Sequence, residues 1–283
     1  MNAAERAFEA LAGFWEDAGL ETVSASLQAH PEGSGAAVST PSPAGPSAPV
    51  SRTASTPLPG RLTPVKPSAS IPAGPVAEAR AAAAQAEDLP ALAAAIEAFE
   101  GCALKKAARR TVVADGIPGA PILIIGEAPG VEEDADGKPF VGRAGQLLDQ
   151  MLGFIGVSRR SNCLISNCVY WRPPGNRNPT PEELAICRPF VERMIILSQP
   201  ALLILVGGVA GQALSGRSEG VTRLRGERLT LSIQGLTTPV HAMVMLHPAY
   251  LLRQPAQKRL AWADLLAAAA WLDELEVKRA PAV

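Results

Sequence analysis

The sequence predicts a three-layer α/β/α fold with a largely parallel central sheet, preceded by a disordered linker and a short N-terminal helix. Three observations predict it. Beyond Cys102, short runs of Ile, Leu and Val alternate with amphipathic stretches long enough for helices, the pattern of strands joined through helices. Between residues 33 and 75 Ser, Pro, Ala and Gly dominate and large apolar side chains are nearly absent, so this stretch cannot bury enough surface to offset chain entropy. Within residues 2–29, Phe8, Leu11, Phe14 and Trp15 recur at helical spacing, the mark of an amphipathic helix.

In chain order, Gly13 and Gly19 limit the rigidity of that first helix. An Ala-rich stretch over residues 76–99 resumes helical periodicity, interrupted at Pro90. Residues 121–125 read as a strand, 143–155 as a helix, 163–170 as a strand and 181–197 as a helix. The last of these has a defined start: Thr180 can cap, Pro181 fits the first turn and Glu183 completes a capping box. A strand at 201–206, a short helix at 209–214, a strand at 240–246 and a helix at 257–275 follow. Strands joined through helices run largely parallel, so the sheet should be buried on both faces. The expected division is a helix over 1–32, a linker over 33–75 and a globular α/β domain over 76–283.

The chain has 283 residues, 47% hydrophobic and 19% charged, enough for one ordinary domain with an appendage. No apolar run approaches the ~18 residues that a membrane span requires. The N-terminus also lacks a basic-then-apolar signal. The expectation is a cytoplasmic protein whose four cysteines, Cys102, Cys163, Cys168 and Cys187, are thiols or metal ligands rather than a disulfide scaffold. Residues 1–100 hold five basic and eleven acidic side chains, net −6, and the remainder 21 and 16, net +5. The basic part is the candidate for a polyanionic partner.

In an open parallel sheet, ligands bind beyond the carboxyl ends of the strands. Here the first apolar run ends in Gly126-Glu127-Ala128-Pro129-Gly130, the second carries Asn167 near its end, the third ends in Gly207-Gly208 and the last in His247-Pro248. A carboxylate, an amide and an imidazole thus converge on one rim. Taken singly, Glu127 is also read as a polar strand end, Asn167 as a turn former and His247 as a structural histidine. No GxxxxGK[ST] is present, Gly208-Val209-Ala210-Gly211 lacks the first glycine of GxGxxG, and no His/Cys spacing suggests zinc.

At these residues the sequence resembles the uracil-DNA glycosylase superfamily, and most of all its thermostable bacterial and archaeal branch, family four. The resemblance runs over about residues 102–275. It is carried by Gly126-Glu127-Ala128-Pro129-Gly130, Glu132-Glu133-Asp134 and Gly137-Lys138-Pro139-Phe140-Val141-Gly142-Arg143-Ala144-Gly145. Asn167, Arg172-Pro173-Pro174-Gly175-Asn176-Arg177 and His247-Pro248-Ala249-Tyr250-Leu251-Leu252-Arg253 follow in the family's order.

The resemblance implies that Phe140 stacks on a uracil flipped out of DNA and that the Asn167 amide pairs with its Watson–Crick edge. It further implies that Glu133 crowds the C5 side against thymine's methyl group, and that His247 donates to the uracil oxygen that gains charge. Backbone N–H groups of the loop Gly126-Glu127-Ala128-Pro129-Gly130, Pro129 having none, would assist. Glu127 would orient the water or stabilise the cationic sugar. Leu251 or Leu252 would wedge the duplex open, and Arg143, Arg172, Arg177 and Arg253 would contact phosphates, with solvated surface as the alternative for each arginine. The implied partner is uracil-containing DNA, handled by a monomer without a membrane; the N-terminal helix and linker are read either as a docking element for another protein or as a dispensable tail.

The family normally carries four cysteines that hold an iron–sulfur cluster. Here only Cys102 and Cys187 match, and Phe99 and Trp171 stand at the other two positions. Two thiolates cannot hold a cubane cluster. Cys163 and Cys168 sit five apart on one strand and so point to opposite faces. The expectation is no cofactor, with the two rings filling the cluster's volume. Three readings stay open: a hydrolase; a relative that traps DNA covalently, for which the histidine-bearing basic insertion after Asn167 is missing; and a non-enzymatic DNA-binding module.

Overall fold

The computed structural model describes residues 73–279. The helix expected over 2–29 lies outside these residues, as does nearly all of the linker. The linker's expected end at residue 75 is corrected: α1 (Ala73–Gln85) already contains Pro75, which falls in the first turn, where its missing N–H removes no helical bond. The break before α2 (Leu89–Ala98) is set by Asp88, whose carboxylate accepts from the Ala91 N–H at 2.8 Å. Pro90 therefore opens the second helix rather than breaking one.

Six strands form one sheet: β1 (Ala114–Gly116), β2 (Ile122–Gly126), β3 (Cys163–Asn167), β4 (Leu202–Val206), β5 (Arg228–Leu231) and β6 (Val240–Met245), in the order β1-β3-β2-β4-β6-β5. The four inner strands run parallel, as the alternation of strand and helix requires. Both edges are antiparallel and were not foreseen. β1 has only three residues and β5 alternates exposed and buried, so neither shows the continuous apolar run of a strand covered on both faces.

The remaining helices are α3 (Val131–Asp136), α4 (Arg143–Gly153), α5 (Pro181–Ser198), α6 (Gly208–Ser215), α7 (Val221–Leu224), α8 (Pro248–Arg253) and α9 (Lys258–Glu274). The capping box at α5 forms as the sequence implies: Thr180 accepts from the Glu183 N–H and the Glu183 carboxylate accepts from the Thr180 N–H. Along each inner strand alternate side chains enter different cores. Leu123, Ile125, Leu203 and Leu205 pack under α1, α2, α5 and α6; Ile122, Ile124, Leu202 and Ile204 pack under α4 and α9. Cys163 and Cys168 also fall in opposite cores, as their odd spacing demands. Among the described residues no helix is long and apolar enough to cross a membrane.

Candidate active site

The parallel register aligns the strand ends, so Gly126 at the end of β2 lies beside Asn167 at the end of β3. One cavity of about 610 Å³ opens there, lined by Glu127, Asn167, His247 and Phe140 among others. The three side chains that the sequence places on one rim therefore meet around a single cavity. Ala128, Pro129, Gly130, Glu133, Arg143, Arg177 and Arg253 line it too.

Asn167 is 1% exposed, and its Oδ1 has no hydrogen-bond partner among the described residues. Leaving a buried amide oxygen unpaired costs about 1–3 kcal/mol, a cost that a ligand carrying an N–H would remove. Gly126 makes this arrangement possible, because a Cβ there would lie 2.5 Å from both Asn167 Oδ1 and Phe140 Cζ. The Phe140 ring stacks toward His247 at 5.7 Å between centroids and 29° between planes.

His247 caps α8, and its Nδ1 accepts from the Ala249 N–H at 3.1 Å. With the Nδ1 lone pair engaged, the proton of the neutral ring resides on Nε2. Burial, reinforced by the Arg253 charge, lowers its pKa to about 4. At neutral pH the imidazole is an uncharged donor. Gly207 stands behind it with φ +96°, a backbone region open to glycine, and a Cβ there would sit 3.3 Å from the His247 Cβ. Burial pushes the Glu127 carboxyl above its usual range, making it a stronger proton acceptor once ionised.

Glu133 lines the cavity with its carboxylate already committed. One oxygen accepts from the Val141 and Gly142 N–H groups at 3.0 Å each, and the other from the Gly130 N–H at 3.0 Å. It is a fixed wall that also ties two loops together. Phe140 adopts φ +54°, a left-handed conformation costing a residue with a Cβ about 1–2 kcal/mol. That loop packs on Gly145, where a Cβ would lie 2.0 Å from the Phe140 carbonyl oxygen.

One expectation is corrected. Leu251 is fully buried in the core under α4 and α9 and cannot enter DNA, whereas Leu252 is 40% exposed. Their neighbouring positions on α8 point about 100° apart, so one faces the core and the other solvent. The arginines also differ in state. Arg177 forms a two-pronged ion pair with Glu183 at 2.8 and 2.6 Å, and Arg172 donates to Asn176 Oδ1 at 2.6 Å. Arg143 and Arg253 form no ion pair among the described residues and line the cavity. Sequence reasoning missed Arg159, which reaches the Phe140 loop from outside the cavity; no motif marks it, since its partners there are backbone carbonyls.

Cys102 and Cys187, the two cysteines that match the cluster ligands the resemblance implies, are free thiols, both fully buried. The interaction between the two thiols lowers the Cys102 pKa and, with burial, raises that of Cys187. Phe99 packs edge-on against Phe190 at 5.2 Å, and Tyr170 meets Trp171 at 6.0 Å and Phe190 at 6.3 Å. Trp171 Nε1 donates to Thr111 Oγ1 at 3.0 Å. Among the described residues no three His, Cys, Asp or Glu side chains are grouped as a metal would need. Two buried thiols among packed rings do not supply the four ligands of such a cluster.

A buried parallel sheet whose strand ends gather an orphaned amide, a stacked ring and a neutral histidine makes this an α/β protein with a binding cavity beyond the strand carboxyl ends. A sequence model of the uracil DNA glycosylase superfamily matches residues 113–266, and the chain belongs to that superfamily. Within it the chain is similar to the type-4 uracil-DNA glycosylase of Pyrobaculum aerophilum, 37% identical over 173 residues, which cover 60% of this chain and 87% of that protein. It is similar also to the type-4 enzymes of Thermotoga maritima, 38% identical over 153 residues, 54% of this chain and 77% of that one, and of Archaeoglobus fulgidus, 35% over 158 residues, 54% and 78%.

Proposed function

We propose that this protein flips uracil out of DNA and hydrolyses its N-glycosidic bond, leaving an abasic site. The observation that carries the reading is the unpaired, buried Asn167 Oδ1 in a cavity shared with Phe140 and His247. Uracil presents an N–H beside a carbonyl oxygen. One side-chain amide supplies the complementary acceptor and donor. Phe140 covers the ring face, and Glu133, immobilised by three backbone N–H groups, is the wall that a C5 methyl group would strike.

As the bond to C1′ breaks, its electron pair leaves with uracil, whose oxygen next to N1 gains negative charge. The His247 Nε2–H, aimed by the Ala249 contact, donates to that oxygen. Glu127 faces the electron-deficient sugar, orients the water that adds to C1′ and takes the proton that the water releases, so that the hydroxyl stays on the abasic sugar. Leu252 takes the wedge role in the opened duplex. Arg143 and Arg253 receive phosphates directly, while Arg172 and Arg177 must first share or release their present partners.

Incubation with a uracil-containing oligonucleotide followed by alkali tests the proposal. Strand breaks at the uracil position are expected; a denaturation-resistant adduct, or intact DNA, would overturn hydrolysis. Gly126→Ala drives a methyl group into Asn167 and Phe140, and should lower the excision rate by about 10²-fold, measured in single turnover. We infer further that no iron–sulfur cluster is bound. The support is the thiol pair and ring packing around Cys102 and Cys187. Iron and acid-labile sulfide should be substoichiometric in anaerobically purified protein, and Cys102→Ser should keep excision within about twofold; one cluster's worth of iron per chain would refute this.

A further inference from the structure

We infer that Arg159 is a positioning residue for the base pocket, acting through the backbone of Phe140; the inference rests on Phe140 being the ring that covers the flipped base. Arg159 lies in the turn between α4 and β3, outside every motif discussed above. Its Nη1 donates to the Pro139 carbonyl and its Nη2 to the Phe140 carbonyl, both at 2.9 Å. These carbonyls belong to the two peptide units that flank the Phe140 Cα. Fixing both planes fixes both backbone torsions of Phe140, which sits at φ +54°.

The second of these peptide units is gripped at its other end as well. Its N–H is that of Val141, which donates to Glu133 at 3.0 Å. A guanidinium and a carboxylate thus hold one peptide group from opposite sides, and the ring that projects from it follows. Arg159 is in turn anchored by Asp115 of β1 at 2.9 Å and Asp149 of α4 at 3.0 Å, and its side chain is 13% exposed. The planar fork matters here: a lysine ammonium keeps the ion pairs but cannot present two parallel donors to two successive carbonyls.

The test is a cycle of four proteins, wild type, Arg159→Lys, Phe140→Ala and the double variant, compared for single-turnover uracil excision, for affinity to an abasic-site duplex and for thermal midpoint. Arg159→Lys should lose excision by on the order of 10- to 100-fold, with duplex affinity within about threefold. In the Phe140→Ala background the same substitution should cost nothing further, because the ring through which it acts is gone. Wild-type excision by Arg159→Lys overturns the inference, as does a loss that multiplies in the double variant. If Arg159→Lys fails to fold, Asp115→Asn, which frees one anchor of the guanidinium, takes its place in the same cycle. Wild-type excision by Phe140→Ala would instead sink the stacking role itself, leaving the two failures distinct.

Discussion

Asn167→Ala abolishes uracil excision, by on the order of 10³-fold, while binding to undamaged duplex changes little. The reason is that the Asn167 amide oxygen makes no hydrogen bond among the described residues. Its Oδ1 is buried without a partner, so in the free protein it carries the cost of lost water and gains no bond. Removing it relieves about 1–3 kcal/mol of desolvation, partly offset by the small cavity left behind. The variant should therefore melt at or above the wild-type temperature while losing activity. Single-turnover excision and calorimetry on the same preparation check both halves, and equal activity would remove the foundation of the pocket assignment.

His247→Ala is the second large effect. Loss of one aimed donor to a developing anion lowers the chemical rate by about 10²–10³-fold, with little change in DNA affinity. The pH dependence is a sharper sign of the same arrangement. The folded pKa lies near 4, below the unfolded value, so the folded state favours the neutral ring. Stability from this group is fully present above about pH 6.5 and is lost as the pH falls toward 4. Excision should follow the same order: no limb attributable to His247 near pH 6.5, and any loss on its protonation appearing only toward pH 4. A limb at 6.5 that vanishes in His247→Ala would contradict the neutral-donor assignment. Arg253→Ala removes part of the charge that lowers this pKa and should move the limb upward.

The inner sheet was readable because burial on both faces writes strands as unbroken runs of Ile, Leu and Val, as in β2 and β4. Edge strands carry no such mark. The rim residues were readable for a related reason: each polar side chain stands where an apolar run stops, and parallel register carries those stops to one end. What escaped was set by packing alone. Leu251 and Leu252 are chemically alike, and only the rotation of α8 against the core decides which one meets solvent. Arg159 escaped because carbonyl oxygens, which every residue possesses, leave no trace in composition. The role of Glu133 in knitting two loops together was hidden in the same way.

The ring-filled lobe around Cys102 and Cys187 has a consequence for upkeep. On the cluster-free reading proposed above, a domain closed by Phe99, Trp171 and Phe190 would need no metal delivery to mature. On the same reading its yield of folded, active protein is independent of iron in the growth medium, an outcome that expression with and without an iron chelator would check.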